Sequence, residues 1–144
     1  MAVNPIPEGY HTVTPYLVVE DVDRLIDFLR AAFDAVEKER IPGQDGRTGH
    51  AEVLIGDSHV MMGRAQDEIP VLPCMLYIYV PDTDATHARA LAAGAVSQQE
   101  PTDMFWGDRN ASVKDPSGNL WTIATHRENL TPEELAERAK EHMR

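Results

Sequence analysis

Two hydrophobic periodicities run through this chain. Leu25, Ile26, Leu29 and Phe33 recur at helical spacing behind Asp21, a good N-cap, and predict a helix over Val22–Phe33. Asp82 predicts a second helix over Thr83–Ala93 that stops at Gly94. Thr131-Pro132-Glu133-Glu134 is a capping box with proline at the first helical position, and opens a last helix to about Met143 with Glu134 and Arg138 set for an i,i+4 pair. Strand patterns fill the intervals. They cover His11–Val19, with Pro15 pointing to an edge or a bulge, then Ala35–Ile41, Gly49–Ile55, His59–Gly63, Cys74–Val80 and Val96–Glu100. Gly56-Asp57 suits a type II′ hairpin turn. Within Met104–His126 an aromatic loop precedes two strands joined by Asp115-Pro116-Ser117-Gly118, a type I turn signal. Met1–Tyr10 reads as an extended tail, Pro42–Arg47 as a loop and Arg64–Pro73 as a polar linker.

The order is therefore β-α-β-β-β, linker, β-α-β-β-β, helix, and the letters repeat with it. Val19-Glu20-Asp21-Val22-Asp23 matches Val80-Pro81-Asp82-Thr83-Asp84, 61 positions on, and Ala31-Ala32 matches Ala92-Ala93. Ala51-Glu52-Val53 matches Ala111-Ser112-Val113, one residue being gained at the following turn. Two copies of one supersecondary unit are expected.

Composition narrows the class. A length of 144 residues fits one domain, and 42% apolar with 26% charged residues is ordinary for a soluble globular protein. No apolar run has membrane-spanning length, and the start, MAVNPIPEGYHT, lacks a basic and apolar leader pattern. The net charge of −11, without a basic patch, excludes nucleic acid as the expected partner. Cys74 is the sole cysteine, so no intrachain disulfide forms; this fits a cytoplasmic location, and a buried inert thiol is expected there. There is no glycine-rich phosphate loop, Cys-x-x-Cys pair or nucleophile elbow, hence no candidate for covalent catalysis.

The segments TPYLVVEDV, GHAEVLIGDSHVMM, YVPDTDATHARALAAGA and FWGDRNASVKDPSGNLWTIATH resemble the vicinal oxygen chelate superfamily, which includes glyoxalase I, bleomycin-resistance proteins and extradiol dioxygenases, and within it the PhnB-like branch. The resemblance covers nearly all of Thr12–His126. It implies an α+β fold of paired βαβββ modules, about 11–63 and 74–126, in a single domain of residues 1–144, with a C-terminal helix at about 131–143 outside the resemblance. It also implies a small-molecule cleft enclosed by the modules. Metal-dependent members hold a divalent ion there with four ligands, one from the first and one from the last strand of each module. Those positions fall here on Thr14, Met61, Met75 and Thr122. Two thioethers and two hydroxyls do not replace the carboxylate and imidazole ligands of a hard cation, so no metal cofactor is expected at the usual place.

Strand alternation gives the cleft inventory. Val13, Leu17 and Val19 are expected to face the first helix, and Thr14, Tyr16 and Val18 the cleft. In the second module Leu76, Ile78 and Val80 face the helix, and Met75, Tyr77 and Tyr79 the cleft. Ala51, Val53 and Ile55 form the apolar set of the hairpin, leaving His50, Glu52 and Leu54 inward with His59 and Met61 opposite. On the last strand Leu120, Thr122 and Ala124 point in, while Trp121 and Ile123 pack outward. This is an apolar, aromatic pocket with a few polar anchors.

His50, Glu52 and His59 admit three readings: a polar group at a pocket rim, an acid-base or ligand contact, or a displaced metal triad. Trp106 is expected either to close over a ligand or to fill a gap; Arg109 either meets an anionic group or pairs with Asp108 inside the loop. His87, His126 and His142 are expected to be solvated or rim residues. Two functions follow. One is a metal-free binder of a small apolar or aromatic molecule, which in the antibiotic-resistance branch is typically a homodimer; Leu130, Leu135, Ala139 and Met143 offer a helix face for a partner or for the domain itself. The other is an enzyme of lyase, isomerase or dioxygenase type, with a shifted divalent metal or with His50 and Glu52 as the acid-base pair.

Overall fold

In the computed structural model, which describes residues 2–142, the chain divides into two compact units, Met1–Cys74 with Pro116–Gly118, and Met75–Asp115 with Asn119–Arg144. The first carries β1 (Tyr16–Val19), α1 (Val22–Phe33), β2 (Val36–Pro42), β3 (Thr48–Ile55) and β4 (Ser58–Arg64). Its sheet has the order β1-β4-β3-β2, with β1 parallel to β4 and the other pairs antiparallel. β1 is an edge strand, as Pro15 suggests, but it begins at Tyr16 rather than His11. Pro15 has no N–H for the ladder, although its carbonyl still accepts from Met61 N at 2.9 Å. Val13, expected to face the helix, precedes the strand and is exposed. The Asp21 carboxylate caps α1 through Arg24 N at 3.1 Å. Leu17, Val19, Leu25, Ile26, Leu29, Ala51 and Val53 are fully buried and form this unit's core. In the β3–β4 turn Gly56 has φ 58° and Asp57 no positive φ, which is the type II′ pattern.

The second unit carries β5 (Met75–Tyr79), α2 (Thr83–Ala92), β6 (Val96–Asp103), β7 (Asp108–Lys114), β8 (Leu120–His126) and α3 (Pro132–His142). Its sheet order, β5-β8-β7-β6, repeats the first. The registers repeat too: Tyr16 lies opposite Met61 and Tyr77 opposite Thr122, both partners displaced by 61 positions. Trp121, Ile123, Val113 and Ala111 are fully buried. The Asp115 carboxylate ties the β7–β8 turn, accepting from Asn119 N at 2.9 Å, Asn119 Nδ2 at 3.1 Å and Trp121 Nε1 at 2.8 Å.

Three local expectations need correction. His87 is buried and lies 3.0 Å from Ser97 Oγ through Nε2, because it points into the α2–β6 packing rather than along the charged side of the helix. Cys74 is half-buried rather than buried, with Sγ toward the carbonyls of Leu72 at 3.6 Å and Tyr16 at 3.9 Å. Arg138 bonds Glu128 at 3.0 and 3.1 Å and the Phe105 carbonyl at 3.3 Å instead of pairing with Glu134. A bidentate fork on a neighbouring carboxylate outcompetes a solvated i,i+4 pair. Thr131 does cap α3, through Glu134 N at 3.1 Å. No described residue of α3 is buried, and Leu135 is exposed; Met143 lies outside the described residues. No helix among the described residues is long and apolar enough to cross a membrane.

Candidate functional site

Each unit presents one cluster of polar and aromatic side chains on the sheet face away from its helix. In the first, period-two alternation turns Ala51 and Val53 into the core and leaves His50 and Glu52 on the other face. Tyr16 OH lies 3.1 Å from His50 Nδ1, and His50 Nε2 lies 3.4 Å from Glu52 Oε1. Glu52 Oε2 accepts a hydrogen bond from Tyr10 OH. The Tyr10 ring stacks on His59, with centroids 4.0 Å apart and planes at 16°. Burial, followed by the bond to Glu52 and the charges of Glu52 and Glu39, pushes the Tyr10 hydroxyl up to about 12, so it stays a donor at neutral pH. A β-carbon at Gly63 would collide with the Tyr16 hydroxyl, so glycine there lets the phenol lie flat on β4. The sequence read Tyr10 as tail; nothing in local periodicity marks a ring that lands on residues far along the chain.

In the second unit the register repeat puts Asn110 where the first has His50. Asn110 Nδ2 donates to Tyr77 OH at 3.4 Å, as His50 meets Tyr16, and Gln99 Nε2 donates to Asn110 Oδ1 at 2.8 Å. The dominant group is Asp108, only 3% exposed. Its Oδ2 accepts from Tyr77 OH at 2.7 Å, Tyr79 OH at 3.0 Å and Trp106 Nε1 at 3.2 Å, and its Oδ1 meets His126 Nδ1 at 3.0 Å. Burial alone would raise its pKa, but the bonds from Tyr77, His126, Tyr79 and Trp106 outweigh it and hold the carboxyl below its ordinary value. Burial and the same carboxylate push Tyr79 up to about 12 and raise Tyr77. The bonds to Asp108 and Asn129 raise His126, which is the half-exposed rim residue expected and also a carboxylate partner. With its lone pairs engaged and its charge kept, Asp108 is suited to fixing three aromatic rings and not to moving protons.

The loop before β7 is built to deliver Trp106. Met104 N bonds the Asp108 carbonyl at 2.7 Å, and the Gly107 carbonyl accepts from Arg127 N at 2.9 Å and Glu128 N at 3.1 Å. Gly107 has φ 101°, and an added β-carbon would sit 2.6 Å from the Glu128 carbonyl oxygen. Gly107→Ala is expected to lower stability by about 1–3 kcal/mol from the left-handed backbone alone, and to shift the Trp106 fluorescence; a urea melt followed at both aromatic and far-ultraviolet wavelengths checks this. Trp106 thus lies against Asp108 rather than in an apolar gap. Arg109 pairs with neither Asp108 nor any group on that face. It grips Asp84 of α2 at 3.1 and 3.2 Å and Asp103 at 3.1 Å.

The four positions that the resemblance sets against metal ligands sit as follows. Thr14 is half-buried with its hydroxyl 3.4 Å from the His11 carbonyl; Met61 is half-buried opposite Tyr16 and Glu52; Met75 is exposed; Thr122 is buried, 3.3 Å from Ser112 Oγ. This donor set does not fit a hard divalent cation. Among the described residues no three His, Cys, Asp or Glu side chains are grouped to hold an ion, so His50, Glu52 and His59 do not assemble as a triad.

The model of the glyoxalase/bleomycin resistance protein/dioxygenase superfamily matches residues 10–123. An uncharacterized protein of Mycobacterium bovis is 37% identical over 137 residues, covering 85% of this chain and 86% of its own. Among solved structures, TioX from Micromonospora sp. ML1 superposes with a TM-score of 0.70 at 30% identity, over 81% of this chain and 98% of that one. A glyoxalase/bleomycin resistance protein/dioxygenase from Nocardioides gives 0.63 at 19% identity, over 92% and 90%, and shares the fold.

Proposed function

The chain belongs to the glyoxalase/bleomycin resistance protein/dioxygenase superfamily, and on that footing we propose that it binds a small apolar or aromatic molecule, without a metal ion, against the outward face of β5. One observation carries this reading. Met75, Tyr77 and Tyr79 stand in a row on that face and are 69%, 41% and 63% exposed, while Leu76 and Ile78 between them point the other way and are more buried. Contiguous exposed apolar groups are uncommon on a soluble surface and mark contact sites. The two phenols are already fixed on Asp108 beside Trp106, so little side-chain entropy is lost when a flat ligand lands on them. The absence of suitable ligands at Thr14, Met61, Met75 and Thr122 supports binding through aromatic contact in place of chelation.

Calorimetry and thermal shift with a panel of aromatic compounds, on protein whose metal content has been measured, test the reading. Saturable binding at one molecule per chain is expected, weakened at least tenfold in Tyr79→Ala with the far-ultraviolet spectrum unchanged. A stoichiometric ion required for binding would overturn it, as would affinity indifferent to Tyr77 and Tyr79 or a panel with no binder.

A second reading, an acid-base enzyme, draws on one observation: the His50 imidazole lies between the Glu52 carboxylate and the Tyr16 hydroxyl. It requires turnover of the bound molecule that His50→Gln and Glu52→Gln each abolish while binding persists.

A further inference from the structure

Residues 2–13 form no helix or strand, and Tyr10 is the one among them that is not exposed. Its contacts are specific. The ring lies flat on His59 of β4, and the hydroxyl ends on Glu52 of β3, 42 residues away in sequence. The backbone approaches closely: Gly9 has φ 84°, and a β-carbon there would come within 3.1 Å of His59 Nε2. Tyr10 N closes a turn on the Pro7 carbonyl at 3.0 Å. The rest of the segment adds no buried side chain, so one phenol docks the whole of it.

A stack of one ring on one imidazole, with a single hydrogen bond to a carboxylate, is the set of contacts a free phenol would make. The fit also leaves something undone, since His59 Nδ1 is enclosed and has no hydrogen-bond partner among the described residues. A phenol carrying a further polar group would gain a bond there that the tyrosine side chain does not make.

We propose that His59 and Glu52 form a subsite for the hydroxylated aromatic ring of a ligand, and that Tyr10 is its resident occupant, displaced when the ligand binds. The subsite deepens the aromatic-binder reading and rests on it. It names phenols as the ligand class and places a ring on the first unit. The N-terminal segment then acts as a tethered competitor, which lowers apparent affinity for phenols by the fraction of time Tyr10 is seated.

The test uses p-cresol, the side chain of tyrosine as a free molecule, with toluene as the control lacking the hydroxyl. In Y10A, p-cresol is expected to raise the melting temperature saturably and to bind at least tenfold more tightly than in the intact protein; toluene binds at least tenfold more weakly than p-cresol. Y10A carrying Glu52→Leu loses the preference for p-cresol, whereas Y10A carrying Tyr79→Ala keeps it, which separates this subsite from the β5 face. Equal p-cresol affinity with and without Tyr10, or equal response to p-cresol and toluene, would overturn the proposal. Wild-type protein supplies a measurement independent of the variants' folding: saturating p-cresol should move the Tyr10 ring resonances to positions of an exposed tyrosine and perturb His59. Resonances of Tyr10 that stay fixed at saturation would refute displacement.

Discussion

Asp108→Ala should lower stability by about 1.5–3 kcal/mol, the range for a hydrogen bond to a charged group, and should abolish aromatic binding on β5. The carboxylate is 3% exposed and accepts from two tyrosines, an indole and an imidazole. Its removal leaves Tyr77, Tyr79 and Trp106 with donors to place elsewhere, and frees three rings to rotate. Asp108→Asn keeps the shape but puts an amide on at least one set of donors, so it lies between wild type and alanine. Chemical denaturation gives the stability, and calorimetry the binding. The pH dependence has a definite sign. Asp108 is held below its ordinary value, so its contribution is complete above about pH 4 and is lost as acid protonates it in the folded state. His126 is raised, so its contribution is complete below about pH 6.5 and fades as pH climbs through the higher folded value. The pair is thus strongest between those limits. His126 is half exposed, so its share is screened by salt. In Asp108→Ala the alkaline decline attributable to His126 should shrink to the part that Asn129 sustains; a decline of unchanged size would show that Asp108 is not its main partner.

Trp121→Ala should cost about 3–5 kcal/mol, as large-to-small changes of buried aromatics do. Trp121 is fully buried on β8, and its indole N–H donates with Asn119 N and Nδ2 to Asp115, itself 4% exposed. Trp121→Phe separates the two contributions. It keeps most of the ring but strips one donor from the carboxylate that ties the turn, and about 1.5–3 kcal/mol is the range for a hydrogen bond to a charged group. Equal losses in the two variants would mean that the turn, rather than core volume, sets the stability of the second unit. Urea titration of both proteins, with the slope compared, resolves the difference.

Most of this fold was legible because its signals are local. The apolar face of α1, the caps at Asp21, Asp82 and Thr131, and the turns at Gly56 and Asp115 each declare themselves within a few residues. The repeat at 61 positions supplied the topology, and alternation sorted Tyr77 and Tyr79 from Leu76 and Ile78. What escaped was long-range. Asp108 gathers donors from β5, from the loop before it and from the end of β8, and nothing near position 108 announces them. Strand alternation does give the direction of its side chain. Carrying the alternation of Ser112 and Asn110 back two residues puts Asp108 on their face and turns Arg109 toward α2, where it meets Asp84. Adjacent strand residues point to opposite faces, so an Asp108–Arg109 pair was disfavoured from the start. Tyr10 had no comparable signal, since a segment without periodicity carries no address for its one anchored ring.

Every strand pairing lies within one sheet, and residues 66–70 of the connection between them are exposed. A break between Asp67 and Glu68 therefore severs no ladder hydrogen bond in either sheet. The chain has a natural seam there, on either side of which one helix is packed on its own four strands. New termini at that seam would leave the turn at Asp115 and the anchor at Asp108 covalently undisturbed, and would make the two halves separately addressable by label or by mutation.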